Sequence, residues 1–271
     1  MAEKKVYVIH ENLEWTQHLV KWLEEKKVPY ELWDLSKGIL NLQEAPPEGV
    51  FYNRMSASSH TRGHRYAPEY TEQVLSWLTR HGRKVVNGLG AINLEISKVK
   101  QYLALEENGI PHPKTVAVLG QDQILEGARQ LNTYPLITKH NRAGKGLGVQ
   151  LFQNEGDLEA YVNSPAFEPS VDGITLLQEY IKPADGRIRR SEFIGQKFLY
   201  TVSIDSSDAR QTVARSERRR KSWKAPRSSK LQNPWRRKES RPTQNFCSTA
   251  ALTLRRLSGY SRKAERFMSM T

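Results

Sequence analysis

The sequence predicts an α/β fold made of an N-terminal α/β domain and a second unit whose α+β lobes surround a glycine-rich loop. Short apolar runs alternate with amphipathic segments over residues 1–93, an alternation that is typical of strands and helices. Residues 94–207 repeat this alternation around a stretch with three glycines in five residues. Neither the helical nor the strand pattern of apolar residues continues after Ser207, so residues 208–271 are predicted to be a basic tail of low order.

The first domain opens with the apolar run Val6–Ile9, which predicts a buried strand. Leu13–Lys26 follows with apolar residues at helical spacing and predicts a helix. The same alternation continues to Gly88, where the last strand of the domain is expected to end. The remaining predicted elements are strands at Tyr30–Leu35, Val50–Asn53 and Lys84–Asn87 and a helix at Tyr70–His81.

The second unit begins with a helix predicted over Glu95–Asn108, which stops at Gly109 before two prolines. Gly195-Gln196 separates two apolar runs by two residues and predicts a β-hairpin with strands Glu192–Ile194 and Lys197–Ile204. The other predicted elements are strands at Thr115–Leu119, Leu136–His140, Val149–Phe152 and Ile174–Ile181 and helices at Asp122–Leu131 and Asp157–Val162.

Charge is distributed very unevenly along the 271 residues. Residues 1–207 hold 24 Lys and Arg against 25 Asp and Glu, whereas residues 208–271 hold 18 against 4, so the tail accounts for the whole positive excess of the chain, whose net charge is +13. The single cysteine, Cys247, lies in this tail, which excludes a disulfide framework and suits a reducing compartment. Because neither a signal peptide nor a membrane span is found, we expect a soluble cytoplasmic protein.

A glycine-rich segment, Lys139–Gly148, is the first candidate for chemistry. Glycines let a backbone approach phosphate oxygens and present N–H donors to them, and nearby lysines neutralise phosphate charge. No Ser or Thr follows Gly144-Lys145, which excludes a Walker loop, and the strand predicted after the segment excludes a dinucleotide fingerprint. Taken alone, the segment favours a flexible hairpin turn that carries solvated basic residues.

Two further motifs flank the glycine-rich segment. Ser97-Lys-Val-Lys100 opens a predicted helix before it, and Leu176-Leu-Gln-Glu179-Tyr-Ile181 forms an apolar strand with a polar edge after it. With these three motifs in this order, residues 85–205 resemble the ATP-grasp superfamily, and most closely the RimK-like alpha-L-glutamate ligases. The resemblance implies an N-terminal pre-ATP-grasp domain at residues 1–93 and a truncated ATP-grasp domain at residues 94–207.

The resemblance also implies an ATP site. Lys100 and Lys139 would bind the phosphates under the loop glycines, the polar strand edge would hold adenine, Asp185 would hold ribose, and Arg190 would be the catalytic residue near the transferred phosphate. The implied nucleotide-binding residues are Lys100, Lys139, Gly144, Gly146, Gly148, Gln178, Glu179, Tyr180, Ile181 and Asp185. Ile188 stands where the family often has an acid. The charged residues are also compatible with solvated positions on a helix, strand or turn.

Ligases of this family need Mg²⁺, which carboxylates and an asparagine on late strands hold, and no such motif follows Ser207. The later acids stand singly among arginines; they are Asp208, Glu217, Glu239 and Glu265. No metal ligand is therefore assigned, and we hypothesise that the reading frame shifts near Ser207. When each codon is read one base earlier, the junction of Met270 and Thr271 can encode only aspartate. A terminator after Thr271 then permits valine followed by asparagine. Asp-Val-Asn is the acidic strand end that the chain as written lacks.

The implied activity is that of an ATP-dependent carboxylate–amine ligase, which forms an amide through an acylphosphate. The expected partners are ATP and an acidic, amino-acid or peptide substrate. A basic loop that contains His60, Arg62, His64 and Arg65 is a candidate for receiving the acidic substrate, or is a solvated loop. Because the metal-binding end is missing, we expect the chain as written to bind ATP weakly and to catalyse no ligation.

Two other functions remain open from the sequence. The arginine-rich tail, with Trp223, Trp235 and Phe246 as stacking residues, predicts a nucleic-acid-binding protein. Any polycation binds nucleic acid without specificity, so only a sequence preference that survives high salt would support that function. The second function that remains open is that of a degraded ATP-binding module with a regulatory role. ATP binding without Mg²⁺ dependence, together with a defined partner, would support it.

Overall fold

The structure is a computed structural model that describes residues 5–144 and 146–205. These residues fall into two compact units, one that ends at Tyr180 and one that begins at Ile181. The basic tail, its predicted low order and the hypothesis of a shifted reading frame concern residues outside the described ranges. None of the described helices is both long and apolar enough to cross a lipid bilayer.

A four-stranded parallel sheet forms the first half of the larger unit, with the strand order β2-β1-β3-β4. The central strands are β1 (Lys5–His10) and β3 (Gly49–Asn53), and the edge strands are β2 (Tyr30–Asp34) and β4 (Lys84–Val86). The strand order reverses between β1 and β3, because the chain crosses from β2 over β1. The loops after β1 and β3 therefore diverge at the carboxyl edge, where open α/β sheets bind ligands.

One face of this sheet is covered by α2 (Ala67–Arg80), whose apolar residues recur at helical spacing. Leu75 and Leu78 of α2 are fully buried in one core with Tyr7 and Phe51, whose rings stack 4.7 Å apart. The connection between β1 and β2 contains α1 (Gln17–Glu25), which has no fully buried residue. A short 3-10 helix, Ala57–Arg62, precedes α2, and it was not predicted from the sequence.

An antiparallel sheet forms the second half of the larger unit, in the order β5-β8-β6-β7. Its strands are β5 (Thr115–Leu119), β6 (Leu136–His140), β7 (Gln150–Phe152) and β8 (Ile174–Glu179). A second core forms between this sheet and two helices, α5 (Ile124–Leu131) and α6 (Glu155–Val162). The two cores lie on either side of the boundary predicted near residue 93, within one compact unit.

The helix predicted over Glu95–Asn108 is wrong at its start. Two helices occupy this region, α3 (Leu89–Glu95) and α4 (Lys98–Glu107). Ser97 separates them because its backbone is extended and its hydroxyl accepts a hydrogen bond from the Lys100 amide at 3.2 Å. A serine that caps the next helix in this way ends the preceding one.

Smaller boundary shifts have similar local causes. α1 begins four residues later than predicted, since Thr16 Oγ1 donates to the Asn12 carbonyl in the turn before it. The helix predicted at Asp122–Leu131 divides into a 3-10 turn, Gln121–Gln123, and α5. The other predicted elements of the larger unit agree with the structure to within three residues at each end.

The described part of the second unit contains one antiparallel hairpin, which confirms the prediction. Its strands are β9 (Arg187–Ile194) and β10 (Lys197–Asp205), so the first strand starts five residues earlier than predicted. Gly195 and Gln196 both have positive φ, 54° and 75°. Two positive φ angles define the tight turn that matches the twist of a two-residue hairpin.

Candidate functional site

Lys98, the first residue of α4, lies against the start of the glycine-rich loop. Its Nζ donates to the carbonyl of Ala143 at 2.8 Å and to that of Asn141 at 3.3 Å. Burial first, and then the positive charge of Lys139, lower the pKa of Lys98 to about 8, against a smaller opposing effect of Asp172 and Glu95. Two lysine ammonium groups from different elements therefore lie close enough to repel each other.

Lys139, in β6, is the second of these cations. Its Nζ donates to Gln178 Oε1 at 2.7 Å and lies 3.4 Å from the hydroxyl of Tyr102. Gln178 is 2% exposed, and its Nε2 donates to Thr115 Oγ1 at 2.8 Å. The side chain of Gln178 thus orients Lys139, which is a role that the sequence did not predict.

Asn141 joins α4 to the strand from which the glycine-rich loop starts. Its Oδ1 accepts from the amide of Val99 at 3.0 Å and from Ser97 Oγ at 3.2 Å. Its Nδ2 donates to Asp172 Oδ2 at 2.7 Å, and the residue is 4% exposed. This amide, which is hydrogen-bonded through both its oxygen and its nitrogen, links the start of α4 to the start of the loop.

The glycine-rich loop is described apart from Lys145. Gly146 and Gly148 have φ angles of +81° and +70°, which L-residues with a side chain rarely adopt. A Cβ atom on Gly148 would lie 2.1 Å from the ring of His140, so this glycine lets the loop backbone lie directly on that ring. Gly144 has more space, since its nearest neighbour would be the Cβ of Ser58 at 3.8 Å.

Lys100, the predicted phosphate ligand of the helix start, lies elsewhere. Its Nζ donates to Asn93 Oδ1 at 2.5 Å, on an exposed part of the helix pair. Lys98, which stands in the same motif and was not predicted as a ligand, is the lysine that lies beside the loop. The sequence signal that could have identified Lys98 is Ser97, a residue type that caps helices. The residue directly after a helix cap lies beside the group that the cap contacts.

The predicted adenine-binding edge follows β8. Glu179 is bonded to Lys114 twice: its amide donates to the Lys114 carbonyl at 3.0 Å, and its Oε1 accepts from the Lys114 amide at 2.8 Å. The amide of Tyr180 donates to the Pro135 carbonyl at 3.0 Å. These two backbone amides are therefore hydrogen-bonded within the unit. Adenine binding at this edge would then depend on backbone carbonyl oxygens and on amides further along the chain.

Three predicted residues belong to the second unit. Ile181 is 61% exposed. Asp185 accepts hydrogen bonds from the amide of Arg187 and the side chain of Arg189, and these bonds hold its pKa below the ordinary value. Arg190 pairs with Glu192 at 2.8 Å, and strand alternation places it on the face opposite Arg189.

The loop predicted to receive an acidic substrate contains arginines that the chain itself pairs. Arg62 donates twice to the buried carboxylate of Glu11, at 2.5 and 3.1 Å, and His64 Nδ1 lies 3.0 Å from the same group. Burial alone would raise the pKa of Glu11, but hydrogen bonds from Arg62 and His64 hold it below its usual value. Arg65 pairs with Glu69 at 2.6 Å. These contacts leave both arginines neutralised, which disfavours a role as an open cationic surface.

Metal binding finds no support within residues 5–144 and 146–205. No group of three or more His, Cys, Asp or Glu side chains in these ranges is arranged to hold a metal ion. The carboxylates and asparagine that the resemblance implies for Mg²⁺ would follow Ser207, outside these ranges. An ATP phosphate group does fit the donor set, since Lys98, Lys139 and the loop backbone supply cations and N–H groups.

Comparison with known proteins gives structural matches only. No protein-family model and no curated protein matches the chain. A RimK domain ATP-grasp protein from Sphaerobacter thermophilus is 18% identical, with a TM-score of 0.54 over 79% of this chain and 80% of the other. D-alanyl-alanine synthetase A from Vibrio cholerae O1 biovar eltor is 14% identical, with a TM-score of 0.51 over 74% and 66%.

A third solved structure extends the match along this chain. The ATP-grasp ligase PsnB, complexed with a minimal precursor, Mg and ADP, is 13% identical, with a TM-score of 0.52 over 95% of this chain and 82% of the other. Identities at this level establish the fold and leave substrates open. The chain has the ATP-grasp fold, as the order of its three motifs predicted.

Proposed function

We propose that this chain binds ATP through Lys98, Lys139 and the glycine-rich loop. The observation that carries the proposal is the convergence of two lysine cations on neutral partners. Lys98 contacts two carbonyl oxygens, and Lys139 contacts an amide oxygen and a hydroxyl. Half-buried like charges of this kind raise the free energy of the empty site, and a bound polyanion would remove that cost.

The roles of individual residues follow from their positions. Lys98 takes the helix-start phosphate role that the resemblance gave to Lys100, because its Nζ is the one beside the loop. Gly144, Gly146 and Gly148 would present backbone N–H groups to the phosphates. Gln178 orients Lys139 through its side chain. Glu179, Tyr180 and Ile181 for adenine, Asp185 for ribose and Arg190 near the transferred phosphate are kept as proposed roles.

The reaction we propose is that of a carboxylate–amine ligase. A substrate carboxylate oxygen attacks the γ-phosphorus of ATP, and ADP leaves. The amine nitrogen then attacks the carbonyl carbon of the acylphosphate, inorganic phosphate leaves, and the nitrogen loses a proton as the amide forms. Two proteins of similar fold are a D-alanyl-alanine synthetase and a ligase solved with a precursor peptide, which supports an amino-acid or peptide substrate. The lysines would stabilise the transferring phosphoryl group electrostatically.

We further propose that the chain as written retains ATP binding without ligation. This rests on the acids after Ser207, which stand singly among arginines and form no acidic-x-Asn strand end. DNA sequencing through codon 207 tests the proposed frame shift. An intact reading frame in the gene, with the same tail in the purified protein, would contradict it.

Calorimetric titration of the purified 271-residue chain with ATP tests the nucleotide proposal. We expect saturable binding of one ATP, weakened by added salt, because the contacts are largely ionic. GTP and inorganic triphosphate serve as controls, since an adenine-binding edge requires ATP to bind more tightly than either. Absence of saturable binding would refute the proposal, and ATP turnover coupled to amide formation would refute the predicted lack of ligation.

A further inference from the structure

Arg142, at the start of the glycine-rich loop, reaches away from that loop to the first half of the unit. Its Nη1 donates to Glu69 Oε1 at 2.5 Å, and its Nη2 donates to the carbonyl of Arg65 at 2.8 Å. Glu69 lies in the first turn of α2, and Arg65 lies just before that helix. The guanidinium therefore connects elements 73 positions apart in the chain.

The loop also approaches the first half of the unit at a second point. A Cβ atom on Gly144 would lie 3.8 Å from the Cβ of Ser58, in the 3-10 helix after β3. One side of the loop is thus held by two hydrogen bonds from Arg142, and Gly144 lies near Ser58. Neither contact involves the lysines proposed to bind phosphate.

The Arg142 contact is not arranged for maximal stability. Arg142 is 3% exposed, yet its Nε has no hydrogen-bond partner among the described residues, and the same holds for Glu69 Oε2. Glu69 Oε1 meanwhile accepts from two guanidinium groups, those of Arg65 and Arg142. A pair that buries a guanidinium and leaves polar atoms of both partners unsatisfied gains little stability over apolar residues, so a contribution other than stability accounts better for this one.

We infer that Arg142 is a positioning residue for the nucleotide, which it serves by fixing the glycine-rich loop on the first half of the unit. The inference rests on the proposed ATP binding. A loop with several glycines loses much conformational entropy when it closes on a ligand. Arg142 removes part of that cost before ATP arrives, because its two arms hold the start of the loop in place.

The test uses hydrogen exchange and ATP titration on the full chain. Arg142→Met removes both arms while keeping an apolar stem, and we expect exchange at residues 143–149 to accelerate and ATP affinity to fall about tenfold. Arg142→Lys keeps the charge toward Glu69 and loses the second arm, so an intermediate affinity is expected. Arg129→Met is the matched control, since Arg129 pairs with Glu155 on exposed surface outside the loop.

Glu69→Ala is a second variant, which tests the same contact if Arg142→Met fails to fold. The side chain of Glu69 is 43% exposed, so its truncation should be tolerated better than that of Arg142. It should accelerate loop exchange without changing exchange in β8. Unchanged loop exchange and ATP affinity in both Arg142→Met and Glu69→Ala would overturn the inference. Accelerated exchange in a chain that does not bind ATP would support loop anchoring and refute the proposed function instead.

Discussion

Two charged clusters lie beside strand ends in the larger unit, and they differ in how their charges are paired. Glu11, after β1, is 2% exposed at its side chain and is bonded by Arg62 and His64. Lys98 and Lys139, beside the glycine-rich loop, contact only neutral oxygens by hydrogen bond. The first cluster has its counter-ions in direct contact. In the second, no carboxylate of the described residues is hydrogen-bonded to either lysine, although the charges of Asp172 and Glu95 act on Lys98.

The difference separates a structural role from a binding role. A carboxylate saturated by a bidentate arginine and a histidine has little capacity left for a ligand, and its removal should affect folding. Two cations held near each other by neutral groups retain their affinity for an anion. The same distinction explains why the arginines of the predicted substrate loop are poor candidates for substrate binding, since Glu11 and Glu69 already neutralise them.

The largest effect on stability is expected at the paired cluster. Glu11→Gln removes the counter-charge of Arg62, and we expect a loss of about 2–3 kcal/mol in the free energy of unfolding at neutral pH. The loss should vanish as pH falls through the lowered pKa of Glu11, because a carboxyl with a depressed pKa contributes stability only while ionised. Denaturant unfolding at several pH values measures both.

Glu31→Gln is the control for that change, since Glu31 pairs with Lys5 at 3.7 Å and its side chain is 48% exposed. An exposed pair of this kind contributes about 0.5 kcal/mol or less. Equal losses in the two variants would contradict the structural role of Glu11. A fall in ATP affinity of more than about threefold in Glu11→Gln would contradict the separation of the two clusters.

The next effect concerns the backbone of the unpaired cluster. Gly148→Ala places a Cβ 2.1 Å from the buried ring of His140, at a φ of +70°. The ring has little freedom to move, since His140 Nε2 lies 2.9 Å from the Glu168 carbonyl. We expect a loss of about 2 kcal/mol in thermal or denaturant unfolding. Gly144→Ala, which meets nothing closer than 3.8 Å, should stay within about 0.5 kcal/mol.

The smallest of these effects is a dependence of ATP affinity on pH. The pKa of Lys98 is lowered to about 8 by burial and by Lys139, and a bound polyanion would raise it. Affinity should therefore be lost as pH rises through 8, by about tenfold between pH 7 and 9. Titrations across this range in the unaltered chain and in Lys98→Met measure the slope. An equal slope in both would show that another group is responsible.

Local patterns in the sequence predict the parts of the candidate site that depend on neighbouring residues. Lys139 and the loop glycines stand in one continuous segment, and the structure places Lys139 beside Lys98 at the start of that loop. The hairpin was readable because two residues between apolar runs permit only a few turn geometries. Pairings such as Arg62 with Glu11 and Arg142 with Glu69 join residues 51 and 73 positions apart, and no local pattern encodes them.

The choice between Lys98 and Lys100 depends on geometry that a motif does not carry. Successive helical residues are rotated by about 100°, so two residues that differ by two positions project in nearly opposite directions. The hydrogen bonds of Asn141 to Ser97 and to the amide of Val99 determine which of the two lysines lies beside the loop. Asn141 lies over 40 positions from the helix start. The motif therefore points to one turn of helix, and only the fold indicates which of its lysines lies beside the loop.

The central claim is that Lys98 and Lys139 together form the phosphate site, and calorimetric ATP titration of Lys98→Met beside Lys100→Met tests it most directly. The account predicts that Lys98→Met weakens binding about 30- to 100-fold, the value of a charged hydrogen bond to phosphate. Lys100→Met should change affinity by less than about threefold. Strong loss in Lys100→Met with none in Lys98→Met would contradict the account.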